Sequence, residues 1–260
     1  MNAKTATASA PPALPAPPSA DERGTAFIKD MPLAWTTGVA FRDGKITMGG
    51  SPWSVTTLPR RIRPFAQKLF VAGRTGLKAR GKTEVDAAIY LLDRGIADPL
   101  PISRGPVDDV DVVIPVYRHA ASLERCLAAL AAEGLPVVVV DDASPAADAA
   151  RIATAAAAHG ARLIVRPKNG GPGEARTDGF NASSAPFVAF VDADVVASVD
   201  WISRLRPLLD DPLTAAVAPR VLADVRGTSA VELYEETRSE LDMGAVPGRV
   251  VYGVSAGWLP

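Results

Sequence analysis

The stretch Phe187-Val188-Ala189-Phe190-Val191-Asp192-Ala193-Asp194 decides how this chain is read. Four of its first five residues are large and apolar, and it ends in two carboxylates two positions apart. It follows the loop residues Ser183, Ser184 and Pro186, so it reads as a fully buried strand. Side chains at i and i+2 of an extended chain point the same way. Asp192 and Asp194 are therefore expected to project together from the strand's C-terminal end. Two like charges so close repel each other. A hard divalent cation relieves that repulsion, and such cations take oxygen ligands together with substrate phosphates. The plainer alternative is a strand-to-loop turn whose carboxylates cap the next segment of chain.

Upstream, the pattern from Val110 runs strand, helix, strand, helix. Residues 110–116 read as a buried strand. Ser122 is expected to cap a helix with Leu123, Cys126, Leu127 and Leu130 on its apolar face, closed by Gly134. That spacing makes Cys126 a core residue. Residues 136–140 form a second strand, and an Ala-rich helix over 146–159 ends at Gly160, with His159 in its last turn. Residues 162–165 form a third strand, followed by a loop and a helix over 173–181. Beyond Asp194, a helix is expected over 201–209, a strand over 215–219 and a helix over 229–241. Strands alternating with helices imply a parallel sheet with right-handed crossovers. Ligands of such sheets bind at the carboxyl ends of the strands.

Four of those ends carry chemistry. Strand one ends in Ile114-Pro115-Val116-Tyr117-Arg118, and strand two in Val140-Asp141-Asp142-Ala143-Ser144. Strand three leads into Arg166-Pro167-Lys168-Asn169-Gly170-Gly171-Pro172-Gly173-Glu174-Ala175-Arg176. Strand four is the opening stretch. A carboxylate after strand two can accept N–H donors from a nucleobase. Glycines before a helix let the backbone approach phosphate, which a helix N-terminus favours. Lys168 and Arg176 add positive charge suited to a diphosphate, and the strand-four pair suits a metal.

The totals exclude other chemistries. The 260 residues are 48% hydrophobic with a net charge of -1, enough for one large or two modest domains with packed cores. One cysteine rules out an internal disulfide framework and a cysteine-based zinc site. The two histidines, His119 and His159, are far apart, show no metal-ligand spacing, and neither lies near a nucleophile-elbow sequence. No apolar run has transmembrane length, and the first 20 residues lack the features of a signal peptide. The composition fits the cytoplasm.

Charge divides the chain. Residues 24–100 carry a net +6 and residues 101–260 a net -7. Residues 1–23, rich in Ala and Pro, read as a disordered tail. Residues 24–96 read as a small α+β unit. A strand over 33–41 turns at Asp43-Gly44 into a short strand over 45–48. After Gly49-Gly50-Ser51-Pro52 comes a third strand over 53–58. A helix follows with Ile62, Phe65, Ala66, Leu69 and Phe70 on one face, stopped by Gly73. A second helix is expected to start at Thr83, with Asp86 completing a capping-box-like pair, and to end at Gly95. Residues 97–109 contain Pro99, Pro101, Gly105 and Pro106 and read as a linker. Residues 110–260 form the second domain. The parts of the first resemble a winged-helix fold.

The motif series Ile-Pro-Val-Tyr, Val-Asp-Asp-Ala-Ser, Lys-Asn-Gly-Gly-Pro-Gly-Glu-Ala-Arg and Val-Asp-Ala-Asp resembles the family 2 glycosyltransferases of the GT-A fold, over about residues 110–220. The resemblance implies a GT-A Rossmann-like, mostly parallel sheet with helices on both faces, and a nucleotide-sugar donor. Pro115 and Tyr117 would line the nucleoside pocket. Asp142 would meet the base, with Asp141 next best. Lys168, Asn169, Gly170 and Arg176 would lie along the donor, and Asp192 would face ribose and metal. Asp194 would bind Mg²⁺ or Mn²⁺ directly, the cation neutralising the departing nucleoside diphosphate.

The run Gly49-Gly50-Ser51-Pro52-Trp53, the two helices after it and the linker into Asp111 are similar to the mycofactocin-system glycosyltransferases, in which a PqqD-like peptide-recognition module precedes the transferase domain. That resemblance implies a metal-dependent, inverting transfer of glucose, from a donor such as UDP-glucose, to a peptide-derived acceptor. The partners would be the donor and the mycofactocin precursor peptide or its derivative. The cations Arg60, Arg61, Arg63, Lys78, Arg80 and Lys82 also suit nucleic acid, but the attached transferase favours a peptide.

Inverting transfer needs a base for the acceptor hydroxyl. In the family it comes from a later segment. Glu235-Glu236 lies mid-helix and too early, so the base is expected beyond Pro260. The chain is accordingly expected to be a truncated transferase that binds a nucleoside diphosphate weakly with metal and turns over no sugar. It should also leave an open sheet edge and dissolve poorly. The alternative is a peptide-binding protein with a remnant, catalytically incomplete nucleotide-sugar half-domain. Full-length relatives are expected to reach the inner face of the membrane, although this chain carries no anchor.

Overall fold

The computed structural model describes residues 25–50 and 53–224, and beyond them only positions 227, 229, 230, 234, 248, 257 and 258. The expected N-terminal tail, Ser51-Pro52 and most of the helix expected over 229–241 lie outside the described residues.

A parallel sheet flanked by helices forms the second half. Its strands are β6 (Val110–Val116), β7 (Val137–Asp141), β8 (Arg162–Val165) and β9 (Phe187–Val191). The order is β9-β6-β7-β8, and all three pairings are parallel. The chain runs outward from β6 through β7 to β8, then returns to β9 on the other side of β6. That reversal opens a crevice at the carboxyl end of β6, where sheets of this kind hold ligands. On the far side of β9, Gly257–Trp258 (β10) pairs antiparallel with Val191 and Phe190. The edge expected to lie open thus carries two paired residues.

Alternation along β6 places its residues on two faces. Val112, Ile114 and Val116 enter the larger core with Leu123, Cys126, Leu127 and Leu130 of α4 (Ala120–Leu130) and Ile152, Ala155 and Ala156 of α5 (Ala146–Ala158). Val113 enters a smaller core on the opposite face with Val138, Val140, Val188 and Ala175 of α6 (Pro172–Ala182). Here Gly179 is obligatory: a Cβ there would lie 2.3 Å from Val113 Cγ1. The helix therefore seats on the sheet only because position 179 has no side chain.

The segment after β9 is shorter in helix than its periodicity predicts. It forms α7 (Trp201–Leu205) and then a 3₁₀ turn over Arg206–Asp210, because Pro207 lacks the N–H that would continue an α-helix. Residues 215–219 do not form the expected strand. Nor does Ser122 cap α4, which starts at Ala120 with His119 before it and no side-chain cap bond. His159 does close α5, and Gly134 takes a left-handed φ of 66° after α4.

The first half has its own core, built from Phe27, Ile28, Met31, Leu33, Trp35, Phe65, Leu69, Leu91 and Ile96 among others. Its elements are α1 (Thr25–Asp30), β1 (Leu33–Trp35), β2 (Ala40–Arg42), β3 (Ile46–Gly49), β4 (Ser54–Thr57), α2 (Arg63–Ala72), α3 (Gly81–Asp93) and β5 (Ala97–Pro99). The single strand expected over 33–41 is two, broken at Gly38 with a φ of 82°. β2, β3 and β4 form an antiparallel sheet in that order, and Asp43 and Gly44 both take positive φ in the first hairpin, as Asp-Gly turns require. β1 pairs instead with β5. The stretch read as linker from residue 97 thus opens as a strand that closes the first unit. α3 starts at Gly81, not Thr83, and its first turn is held by Glu84, which accepts from Arg80 N at 2.8 Å.

Candidate donor and metal site

The carboxyl ends of β6 and β7 are tied together. Arg118 N donates to Ser144 Oγ at 2.9 Å, and Asp142 N donates to Val116 O at 2.9 Å. Arg118 and Ala143 both sit at left-handed φ, 70° and 60°. Non-glycine residues in that region mark backbone held against its preference, a feature that clusters at functional edges. Pro115 is buried at the end of β6. Tyr117 is exposed, with the Arg118 guanidinium 4.8 Å from its ring centroid.

Asp141 and Asp142 are both buried but differ in what they touch. Asp142 accepts from Gly171 N at 2.7 Å, from Gly170 N at 3.0 Å and from Arg166 Nη1. Asn169 Nδ2 adds a bond to the Asp142 carbonyl at 3.1 Å. Burial pushes the Asp142 carboxyl up, but Gly170 N–H, Arg166 and Gly171 N–H outweigh it and hold it below the ordinary carboxylate range. Asp141 Oδ1 accepts from Ser144 N at 3.0 Å, while its buried Oδ2 meets no donor among the described residues. A buried carboxylate oxygen without a donor is costly, and it suits a ligand bringing an N–H.

The glycine loop is already occupied by protein. The N–H groups of Gly170 and Gly171, expected to face phosphate, are aimed at Asp142. Asp142 acts as the anion at the start of α6, the position a helix N-terminus favours for negative charge. Arg166 closes the arrangement. Its Nη2 reaches Glu174 Oε2 at 2.5 Å and its Nε reaches Asp178 Oδ2 at 2.7 Å. Glu174, Asp142 and Asp178 together stabilise the charged guanidinium and raise its pKa. Sequence reasoning did not pick Arg166 as a site residue. The available signal was Glu174 and Asp178, spaced i and i+4 on one face at a helix start. Lys168 is exposed beside this loop.

The carboxylate pair sits differently from expectation. β9 stops at Val191, and Val195 N donates to Asp192 O at 3.0 Å, so residues 192–195 form a turn. Asp192 and Asp194 are therefore not neighbours on one side of an extended strand. Asp194 is exposed, and Asp192 is partly buried against Arg176 of α6, whose Nη2 donates to its Oδ1. Burial pushes the Asp192 carboxyl up, Arg176 pulls it back, and Asp194 adds a further upward push. Ala193 between them is buried in the larger core. Beneath the turn Cys126 Sγ lies 3.7 Å from Asp192 O as a donor. Burial, with Asp194 and Asp192 nearby, pushes this thiol up to about 12, so it stays protonated and inert.

Among the described residues no group of three or more His, Cys, Asp or Glu could hold a metal ion. Two carboxylates still fit a hard cation that completes its shell with water and substrate phosphate. Asp192 and Asp194 are a donor set of that kind.

The glycosyl transferase family 2 profile matches residues 111–250, more than half of the chain. The chain belongs to glycosyl transferase family 2. Its sheet and flanking helices are a GT-A-like α/β fold. The chain is 36% identical over 219 residues to a pre-mycofactocin glycosyltransferase of Mycobacterium tuberculosis, covering 84% of this chain and 44% of that protein. It is 38% identical over 108 residues to the succinoglycan biosynthesis protein ExoO of Rhizobium meliloti, covering 40% of this chain and 31% of the relative. The chain thus spans less than half the length of these curated relatives. Among solved structures, the mannosyltransferase PcManGT from Pyrobaculum calidifontis, in complex with GDP-Man and Mn2+, aligns at 24% identity. Its TM-score is 0.42, with 47% of this chain and 38% of that chain covered. Among the described residues no helix is long and apolar enough to cross a membrane.

Proposed function

We propose that this chain carries the donor side of a metal-dependent, inverting glycosyltransferase that moves a sugar, glucose by resemblance, from a nucleoside-diphosphate sugar to a peptide-derived acceptor in mycofactocin biosynthesis. The observation that carries this reading is the similarity to the pre-mycofactocin glycosyltransferase, which covers 84% of the chain and therefore both of its halves.

Within that reading the residues divide the work. Asp141 Oδ2 takes an N–H of the nucleobase, since it is the oxygen left without a donor. Asp142, expected at the base, instead holds the glycine loop in place with its carboxylate. Pro115 and Tyr117 wall the nucleoside. Lys168 and Arg176 supply positive charge for the diphosphate, and Asn169 and Gly170 shape the path between them. Asp194, with Asp192, would hold Mg²⁺ or Mn²⁺, which when bound supplies Lewis-acid neutralisation of the leaving diphosphate. The base for the acceptor hydroxyl is assigned to none of these residues.

The first unit is proposed as a PqqD-like module for the precursor peptide. Its support is a separate core and a net +6 over residues 24–100. The outer face of β3 and β4 also exposes Met48 and Val55, directly paired across the strands, with Trp53 beside them.

Calorimetric titration of the whole chain with UDP and with GDP, each with and without Mn²⁺, tests the donor site. Metal-dependent binding of one nucleotide, abolished by Asp194→Ala, is the expected result. Binding unaffected by Asp194→Ala would sink the metal assignment. Labelled precursor peptide against labelled duplex DNA tests the first unit. Tighter DNA binding would replace the peptide reading.

A further inference from the structure

Arg166 grips three carboxylates with three nitrogens. Nη1 donates to Asp142 Oδ1, Nη2 to Glu174 Oε2 at 2.5 Å and Nε to Asp178 Oδ2 at 2.7 Å. Its side chain is 12% exposed, and the functional reading above gives it no part. We propose that Arg166 is the positioning residue of the nucleobase pocket: it touches no donor atom, but it fixes the turn over residues 141–144 so that Asp141 Oδ2 stays open to an N–H of the base. This rests on the nucleotide reading of the site.

The turn needs holding. Ala143 takes a φ of 60°, a conformation that a residue with a side chain disfavours. Such a residue persists only where its surroundings over-determine it. Here Asp142 N donates to Val116 O and Ala143 N to Asp141 O, each at 2.9 Å, and Asn169 Nδ2 donates to Asp142 O at 3.1 Å. The charged anchor is the Asp142 carboxylate, 4% exposed, which receives Gly170 N, Gly171 N and Arg166. A buried carboxylate deprived of its cation is drawn back toward water. If Asp142 swings out, Ala143 relaxes and Ser144 moves. Ser144 N is the donor that occupies Asp141 Oδ1, at 3.0 Å. That bond makes Oδ2 the oxygen left over, buried and without a donor among the described residues. Once the bond breaks, the Asp141 carboxylate turns and its open oxygen is no longer fixed.

Arg166 also reaches Asp141 directly, by its backbone. Arg166 N donates to Asp141 O at 2.9 Å, one residue beyond the last pairing of β8 with β7. A single residue thus holds Asp141 through its main chain and Asp142 through its side chain. Glu174 and Asp178 take the other two guanidinium nitrogens, so the cation is not drawn across to Asp141. Gly170 makes room for the grip. It does not take a left-handed φ, so conformation does not demand a glycine, but a Cβ there would run into Glu174 Oε2 and Arg166 Nη1. The glycine expected to admit a phosphate admits an ion pair instead. The same turn reaches the wall of the pocket, because Ser144 Oγ accepts from Arg118 N, next to Tyr117.

The test separates the base from the rest of the donor. The whole chain with Mn²⁺ is titrated calorimetrically with UDP or GDP, whichever binds more tightly, and with ribose 5-diphosphate, which lacks the base. The ratio of the two affinities is the base preference, and the parent should show about tenfold or more. Arg166→Gln should cut it to about threefold or less while binding ribose 5-diphosphate within about twofold of the parent. Loss of both ligands alike, with the ratio kept, would make Arg166 mere scaffold and overturn the proposal. Asp141→Asn keeps the acceptor for Ser144 N but sets an amide N–H against the base N–H, so it too should lose the preference. In that background Arg166→Gln should change the ratio no further, because both act through one oxygen. If Asp141→Asn removes the preference and Arg166→Gln leaves it, the inference is wrong and the base reading stands. If the parent shows no preference, or Asp141→Asn leaves it unchanged, the base reading falls and the inference falls with it. Should Arg166→Gln fail to fold, Arg166→Lys carries the test. It keeps the charge beside Asp142 but lacks the fork that spans three carboxylates, so it should lose at least about threefold of the preference. A full parental ratio in Arg166→Lys overturns the proposal.

Discussion

Arg166 donates to Asp142, Glu174 and Asp178 at once, so one guanidinium joins the ends of β7, β8 and α6. The carboxylate that gains most is Asp142, which is buried and also receives two backbone N–H groups. Its folded pKa is depressed, so its stabilisation is present above the unfolded value of about 3.9 and is lost as pH falls through the folded value. Asp142→Asn should therefore be less stable than the parent at pH 7, with the gap closing in acid below about pH 4. Urea midpoints from pH 7 down to pH 3 measure this, and a constant gap would contradict it. Glu133 has the opposite sign. Burial raises its carboxyl, Asp200 adds to that, and the N–H groups of Asp200, Trp201 and Ile202 pull it only partly back. Its folded state thus disfavours the charge, a contribution lost as pH rises through the raised value. Glu133→Gln should raise the melting temperature at pH 7 and lose that advantage in acid below the ordinary glutamate range. A scan at two pH values decides it.

α6 carries Arg176, one of the site's cations, and its seat is set by the absence of one methyl group. Gly179→Ala would push Cβ into Val113 and Val140, and both are packed on the sheet. The expected cost is about 1–3 kcal/mol of stability. Because Arg176 rides on the same helix, nucleotide affinity should fall together with the urea midpoint; unchanged affinity would mean that Arg176 does not depend on this seat. This element also shows what the sequence made legible. Buried strands such as Val110–Val116 and Phe187–Val191 were readable because their apolar runs stop at turn residues. The helices of the larger core were readable from their apolar spacing. The site's composition was readable too, since four strand ends carry polar residues. Its wiring was not. Nothing local says that the Gly170 and Gly171 N–H groups face Asp142, 28 and 29 positions away, rather than a ligand. Nor does an i, i+2 rule apply once the strand has ended at Val191, which is why Asp192 and Asp194 part in a turn. Strand β5 was missed for a related reason: Ala97–Pro99 has too few residues for a period and gains its structure only from Leu33–Trp35.

At the scale of the whole molecule, the segment after the metal turn belongs to both halves. Leu209 lies in the larger core, while Leu208 packs against the core of the first unit. Polar contacts tie the connecting stretch to the same segment. Arg206 bridges Asp109 at 2.6 Å and Asp210 at 2.6 Å, with its guanidinium 4.0 Å from the centre of the Phe187 ring. Arg104 reaches Asp210 at 2.9 Å, and Ser103 Oγ lies 3.1 Å from Ser203 Oγ. The exposed ion pairs contribute little each, on the order of 1 kcal/mol or less. The apolar contact matters more, because a charge placed there must either leave the first unit's core or enter it unpaired. Leu208→Asp should therefore uncouple the halves. Calorimetry of the parent should show one transition, and the variant two, the first unit melting separately. Arg104→Ala should leave the single transition in place. If Leu208→Asp also melts as one unit at an unchanged temperature, the two cores do not depend on this contact. A single transition at a lower temperature would place the coupling in the contacts of Ser103 and Arg104 instead, and Ser103→Ala with Arg104→Ala in the Leu208→Asp background should then split it.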